Sequence, residues 1–172
     1  MPEHTTRWVR FDWPLAGKAF EVSVAPGYAL RAGGMADIQN IRDVVVSAYG
    51  SDPIWAGKTA EIETGIMERV EARITDPSAR FVVAEYEDRI VGMNGVALAS
   101  DTKMNFLTGI CVAPDHQGRG LGAALLGHSL SWLRDQGLAL ATVTTDKAAV
   151  AAHVYRRFDA RRVDNTEYPG SF

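Results

Sequence analysis

The chain has a single cysteine, Cys111, in 172 residues. One cysteine excludes an internal disulfide and any cysteine-based metal cluster. The four histidines, His4, His116, His128 and His153, show no ligand spacing, so no metal is expected. No apolar run approaches the roughly 20 residues that a bilayer span requires. The first residues, Met1 to Arg7, are polar and lack the core of a signal peptide. A cytoplasmic protein with no membrane partner is the expectation. An excess of positive charge is missing too: the formal net charge is −3, which argues against a nucleic-acid partner, whose binders carry a basic stripe. Repeats, low-complexity tracts and linkers are also absent. The remaining composition, 47% hydrophobic and 23% charged, is that of a soluble globular chain long enough for one domain with a proper core.

Against these absences one run stands out. Val112-Ala113-Pro114-Asp115-His116-Gln117-Gly118-Arg119-Gly120-Leu121-Gly122-Ala123 follows an apolar stretch, Phe106 to Val112, and opens a segment with a helical apolar period, Leu121 to Trp132. A strand, a glycine-rich turn and a helix start in succession make an anion site. The first N–H groups of a helix have no intrahelical acceptor, and the helix dipole adds partial positive charge there. Glycines 118, 120 and 122 let a phosphate approach the backbone, and Arg119 adds a full charge. A P-loop is excluded, because no Gly-x-x-x-x-Gly-Lys-Ser/Thr run exists. Gly118-x-Gly120-x-x-Ala123 formally matches a dinucleotide fingerprint, but the expected acidic residue about 20 positions on falls among Leu138, Ala139, Leu140 and Ala141. The run also begins too late for a dinucleotide fold.

Gln117-x-x-Gly120-x-Gly122 after a strand ending Val112-Ala113-Pro114 resembles motif A of the GNAT N-acetyltransferase superfamily, and the resemblance extends from about Tyr28 to the C-terminus. It implies a GNAT-like α/β fold (an α+β mixed sheet) with splayed central strands and helices on both faces. It implies acetyl-coenzyme A as co-substrate, with loop amides of Gln117, Gly118, Arg119, Gly120, Leu121, Gly122 and Ala123 on the pyrophosphate. Strand residues Ile110, Cys111 and Val112 would pair with pantetheine inserted as a pseudo-strand. Tyr155, in a segment that looks like the family's motif B, would protonate the departing thiolate. The implied function is transfer of an acetyl group to a primary amine by direct attack in a ternary complex. The alternative is a non-catalytic acyl-coenzyme A-binding sensor or interaction module on the same fold. The acceptor stays open between small-molecule and peptide amines.

The periodicities fit that scheme. Ile38, Ile41, Val45 and Ala48 predict a first helix, and Ile62, Ile66, Val70 and Ile74 a second, stopped by Asp76-Pro77. Residues 80–86 and 89–99 read as a hairpin turning at Glu87-Asp88. Residues 105–112 read as one strand, 121–133 as a helix closed by Gly137, 138–144 as a strand and 148–158 as a last helix. Residues 1–172 are read as a single domain in which 1–26 form an N-terminal β-hairpin-like extension, with strands at 6–11 and 19–24. That extension is expected to cover an open sheet edge or build a homodimer contact.

Departures from the family pattern concern the finer contacts. Where the family often has an asparagine for the pantetheine arm, this chain has Ala148, leaving Thr145 or Asp146 to substitute. Where the family has a glycine after the tyrosine, this chain has Asp159, which tolerates the left-handed region better than most residues. No carboxylate lies on residues 105–112, so the general base is left open between Glu85, Asp101 and water. Cys111 lacks the electropositive neighbour that a nucleophilic thiolate requires. His128 falls on the apolar stripe of its helix and is expected in the core. Ser51 to Trp55 is the expected acceptor wall, with Trp55 offering a flat apolar surface.

Overall fold

The structure, a computed structural model, describes residues 8–100, 104–146 and 151–166. Its larger sheet follows from the alternation along β3 (Ala79–Tyr86), which sends Phe81 and Val83 to one face and Val82 and Ala84 to the other, all four buried. A strand apolar on both faces must be covered on both. Helices α1 (Ile38–Gly50) and α2 (Thr59–Arg73) cover the Phe81 face through Ile41, Val45, Ile66, Met67 and Val70. Helix α3 (Leu121–Asp135) covers the other face, with Leu121 and Leu125 in one cluster with Val82 and Ala84. The sheet runs β2 (Tyr28–Ala32), β3, β4 (Arg89–Ala97), β5 (Cys111–Val112), antiparallel throughout. At the expected hairpin turn, Glu87 and Asp88 take φ of 49° and 62°, the paired left-handed conformations of a tight two-residue loop.

The expected strand over 105–112 is interrupted. Phe106 makes an isolated bridge to Val96, and ladder pairing resumes only at Cys111 and Val112. Between them Gly109 turns to φ 70°, and Thr108 Oγ1 accepts from the Gly95 N–H at 2.9 Å, replacing a backbone carbonyl. The side chain satisfies the ladder donor and the backbone bulges outward.

A second, three-stranded sheet has the order β6 (Leu140–Asp146), β1 (Trp8–Pro14), β7 (Arg161–Thr166), again antiparallel. This corrects the expected hairpin extension: residues 18–25 form no strand, and β1 pairs instead with strands from the far end of the chain. Val9, Phe11 and Trp13 are at most 1% exposed, and a peripheral hairpin could not bury that aromatic volume. Residues beyond β1 cross the core instead. Leu15 N–H donates to the Ala139 carbonyl at 2.9 Å, and Phe20 is buried edge-on against Phe158, 5.5 Å between ring centroids. Strand β7 was not expected; its sequence alternates weakly, and Arg162 pairs with Asp164 on its surface. Helix α4 spans Ala151–Tyr155, and its expected start at 148–150 lies outside the described residues. His128 is exposed rather than in the core, Ser129 taking the buried place beside it. Among the described residues no helix is long and apolar enough to cross a membrane.

Two contacts lock these pieces. A Cβ on Gly127 would lie 2.0 Å from the Phe20 carbonyl oxygen, so the chain can pass over α3 only where no side chain stands. Ahead of α1, Asp37 accepts from the Gly34 N–H at 2.8 Å and from both arms of the Arg31 guanidinium at 2.8 Å each. That guanidinium holds the Asp37 carboxyl below the usual carboxylate range.

Gly127→Ala should cost about 3 kcal/mol, because a backbone atom cannot yield as a side chain would, and lower the melting temperature by about 6–12 °C. Gly50→Ala, on a helix end where the nearest atom would be 3.8 Å away, should be neutral or stabilising by calorimetry. The depressed Asp37 carboxyl stabilises the fold above its unfolded pKa near 4, and that contribution is lost as pH falls through the lower folded value. Since Arg31 is 41% exposed, solvent screening limits the pair to about 1 kcal/mol. Asp37→Asn should therefore melt about 2–4 °C lower at pH 7, with the gap narrowing toward pH 3.

Candidate active site

The two sheets touch at one end and part at the other. Asn105 N–H donates to the Thr142 carbonyl, and Thr142 N–H returns to Asn105 Oδ1, each at 3.0 Å. Beyond this clasp β5 pairs only with β4, and β6 only with β1. Ala113 N–H donates to the Val91 carbonyl on β4 at 2.8 Å. By alternation, the N–H groups of Val112 and Ile110 face away from β4 into the wedge. The Tyr155 phenol adjoins Gly109 there.

The anion loop begins at the wide end of this wedge. A 3₁₀ turn at Pro114–His116 leads to Gln117 in extended conformation. Gly118 follows at φ 74°, and Gly120 at φ 80° caps α3. Nothing lies within 4 Å of where a Cβ would sit on either glycine, so conformation and not packing demands them. Residues 117–120 are exposed, and the first-turn amides of α3 have no intrahelical acceptor. Gln117 serves the loop's shape: its Nε2 donates to the Val112 carbonyl at 3.1 Å, and its own N–H to the Pro114 carbonyl at 3.3 Å. That engages one of the seven amides expected to face the ligand. Arg119 is braced as well, donating to Tyr28 Oη at 3.1 Å, which lies 2.7 Å from His116 Nδ1. Leu121 and Ala123 bury their side chains, and at Gly122 a Cβ would meet Val154 of α4 at 3.3 Å.

On the other side of the wedge lies a cavity of about 240 Å³. Tyr155 lines it, although only 2% exposed. Its ring is held by Phe106, Phe11 and Trp13, with centroids 5.7, 5.9 and 6.0 Å away. Burial pushes its phenol well above the ordinary value, so the proton stays on at physiological pH. Tyr49, also on the cavity wall, is raised by burial too. The Cys111 thiol is itself pushed up to about 12 by burial, and no thiolate forms there. Of the stretch Ser51 to Trp55, Trp55 alone lines the cavity, 5.7 Å from the Tyr49 ring, and Thr145 lines it too. Of the candidate bases, Glu85 does not line the cavity and is paired with Arg31 at 2.7 Å. Asp101, Lys147 and Ala148 lie outside the described residues. Asp159 takes φ 57°, in the left-handed region expected of it, and Phe158 joins it at 61°.

Tyr49 and Arg69 were missed in the sequence. Tyr49 follows an apolar helical stripe and reads as core, and Arg69 sits in a helix rich in charge. Only the third dimension brings both to Gly109: a Cβ there would stand 3.7 Å from the Tyr155 hydroxyl and 3.8 Å from that of Tyr49, while Arg69 donates to the adjacent Leu107 carbonyl at 3.0 Å.

With this geometry in view, similarity to known proteins is informative. The profile of the Acetyltransferase (GNAT) family matches residues 43–159. A mycothiol acetyltransferase of Rhodococcus opacus is 30% identical over 159 residues, 87% of this chain but 51% of that protein. The chain thus spans about half the length of this curated relative. Among solved structures, a GCN5-related N-acetyltransferase from Sphaerobacter thermophilus superposes with a TM-score of 0.68 at 18% identity, covering 92% of this chain and 49% of that one. A GNAT family acetyltransferase from Brucella melitensis in complex with acetyl-CoA gives 0.51 at 24% identity, covering 64% of this chain and 71% of that one. A parted sheet, a glycine loop capping a helix and a family match over most of the chain agree: this protein belongs to the GNAT acetyltransferase family.

Proposed function

We propose that the chain is an acetyl-coenzyme A-dependent N-acetyltransferase acting by direct transfer to a primary amine. The observation that carries this reading is Tyr155, a buried, protonated phenol between the open edge of β5 and a cavity large enough for a second substrate. The residues fit the co-substrate. Amides from Gly118 to Ala123 offer the pyrophosphate donors without side-chain obstruction. The Val112 N–H offers an extended amide-bearing arm a strand-like partner, and a strand amide at the wedge polarises the thioester carbonyl as charge develops on its oxygen.

In the reaction the amine nitrogen, entering from the cavity, bonds to the thioester carbonyl carbon. The carbon–sulfur bond breaks and its electron pair leaves on sulfur. Tyr155 gives its proton to that sulfur, and the proton lost by the amine returns through water to the phenolate. A phenol held above its ordinary value is the weaker acid, so its proton moves only as negative charge develops on the departing sulfur, and the proton returned through water restores the phenol.

Calorimetric titration with acetyl-coenzyme A, beside NADH and ATP, should give selective micromolar-range binding. Absence of binding removes the assignment, and tight binding without turnover of any amine would favour the non-catalytic alternative. Tyr155→Phe should lower kcat by about 100-fold or more while changing the cofactor Kd by less than about threefold. Because an acid works only while protonated and burial raises this one, kcat should show no alkaline loss from Tyr155 up to about pH 10. Unchanged turnover in the variant, with chemistry rate-limiting, would exclude Tyr155 from the mechanism.

A further inference from the structure

We infer that the acceptor is an amine bearing a carboxylate, and that Arg69 is the residue that binds it. The inference rests on the transferase reading above and names the substrate class of the same cavity. Arginines on the neighbouring helical surfaces are matched to acids: Arg42 with Glu63 and Glu71 at 3.2 and 3.0 Å, Arg73 with Asp76 at 2.7 Å. Arg69, half-buried on the cavity wall, has no carboxylate partner among the described residues. One nitrogen of its guanidinium donates to the Leu107 carbonyl at 3.0 Å, which fixes the plane. The other donors of that rigid fork are left for a ligand, the geometry that suits a carboxylate bidentately.

Two further observations point the same way. Gly65 interrupts the interior of α2, where it costs about 1 kcal/mol relative to alanine. A Cβ there would come to 4.0 Å from the second guanidinium nitrogen of Arg69, and both residues line the cavity, so a larger side chain at this position would crowd the fork. The charge balance of the wall is also wrong for a simple cation. Among the described residues the wall carries Arg69, half-buried, with Lys58 and the one carboxylate Glu61 exposed at its rim. A site for a polyamine or an isolated ammonium would be acidic, since like charges in a partly desolvated pocket repel. An acceptor that brings its own negative charge to Arg69 restores neutrality, and its apolar part has Tyr49, Trp55 and Ile66 to rest against.

The test is turnover, read as thiol release from acetyl-coenzyme A, over matched sets of acceptors. Each set holds an amino acid or dipeptide, its C-terminal amide and the corresponding amine without the carboxylate, in aliphatic and aromatic series. Wild-type protein should prefer the carboxylated member at least tenfold in kcat/KM. In Arg69→Gln that preference should vanish through KM, with cofactor binding unchanged by calorimetry. Arg69→Lys, which keeps the charge without the fork, should fall between. Equal or better turnover of the amides overturns the inference and leaves the transferase reading intact, as does a preference that survives in folded Arg69→Gln. Cofactor binding with no turnover of any acceptor overturns both. The wild-type comparison decides the question even if a variant fails to fold.

Discussion

Backbone hydrogen bonding at the parted sheet is the constraint on which this architecture depends. Buried N–H and C=O groups must find partners, and two sheets that diverge deprive their inner edges of each other. The protein answers with side chains. Thr108 Oγ1 takes the Gly95 N–H, and Gln117 Nε2 takes the Val112 carbonyl. Only part of the edge is satisfied this way, and the Val112 N–H is left facing the gap. Aromatic volume keeps the gap from closing, because Tyr155 packs at once on Phe106 from one sheet and on Phe11 and Trp13 from the other. The same residue therefore props the wedge and is the one proposed as proton donor.

That arrangement makes the start of the chain part of the site. Strand β1 lies between β6 and β7 and contributes two of the three rings around Tyr155. Trp13 also donates its indole N–H to the Arg157 carbonyl at 2.9 Å, fixing the chain just past α4. The segment that follows β1 then crosses α3 over Gly127, where the Phe20 carbonyl sits in the space of the absent side chain. Position along the sequence and position relative to the chemistry are thus uncoupled. Residues more than 140 apart meet in the Trp13–Arg157 bond.

What the sequence made legible was local. Period-four apolar spacing at Ile62, Ile66 and Val70 needs only one helix face, and the helix formed there. Glu87-Asp88 and the glycines at 118 and 120 encode backbone angles, and those angles were found. Pairing was less legible, because it depends on residues far along the chain. Trp8 to Phe11 looked like half of a hairpin, since nothing in its own composition tells which strands flank it. Arg161 to Thr166 carries too weak an alternation to announce an edge strand. The interruption at Thr108 and Gly109 was hidden for another reason: a threonine hydroxyl replaces a backbone acceptor without altering the apolar pattern around it. Arg69 escaped notice because its meaning lies in the lack of a carboxylate partner among the described residues, which only the third dimension exposes.

Of the expected carboxylate bases, Glu85 does not line the cavity and Asp101 lies outside the described residues, and the proposed acceptor itself eases the removal of the proton. An acceptor's nitrogen must lose a proton before it can attack, and a carboxylate on the same small molecule holds that proton by stabilising the ammonium. Binding the carboxylate to Arg69 cancels that stabilisation, since each charge on the pair compensates the other at the nitrogen. The amine then behaves more like the α-amino group of a peptide, which ionises near pH 7.7–8.0, and a fraction of it is neutral at physiological pH. Lys58 on the same wall pushes in the same direction, opposed by Glu61. Water suffices to carry the proton away. One guanidinium thus does the work of positioning and part of the work of a base, which is consistent with Glu85 being tied to Arg31 outside the cavity. On the proposed reading, the chemistry that remains for the protein is that of its buried phenol, Tyr155.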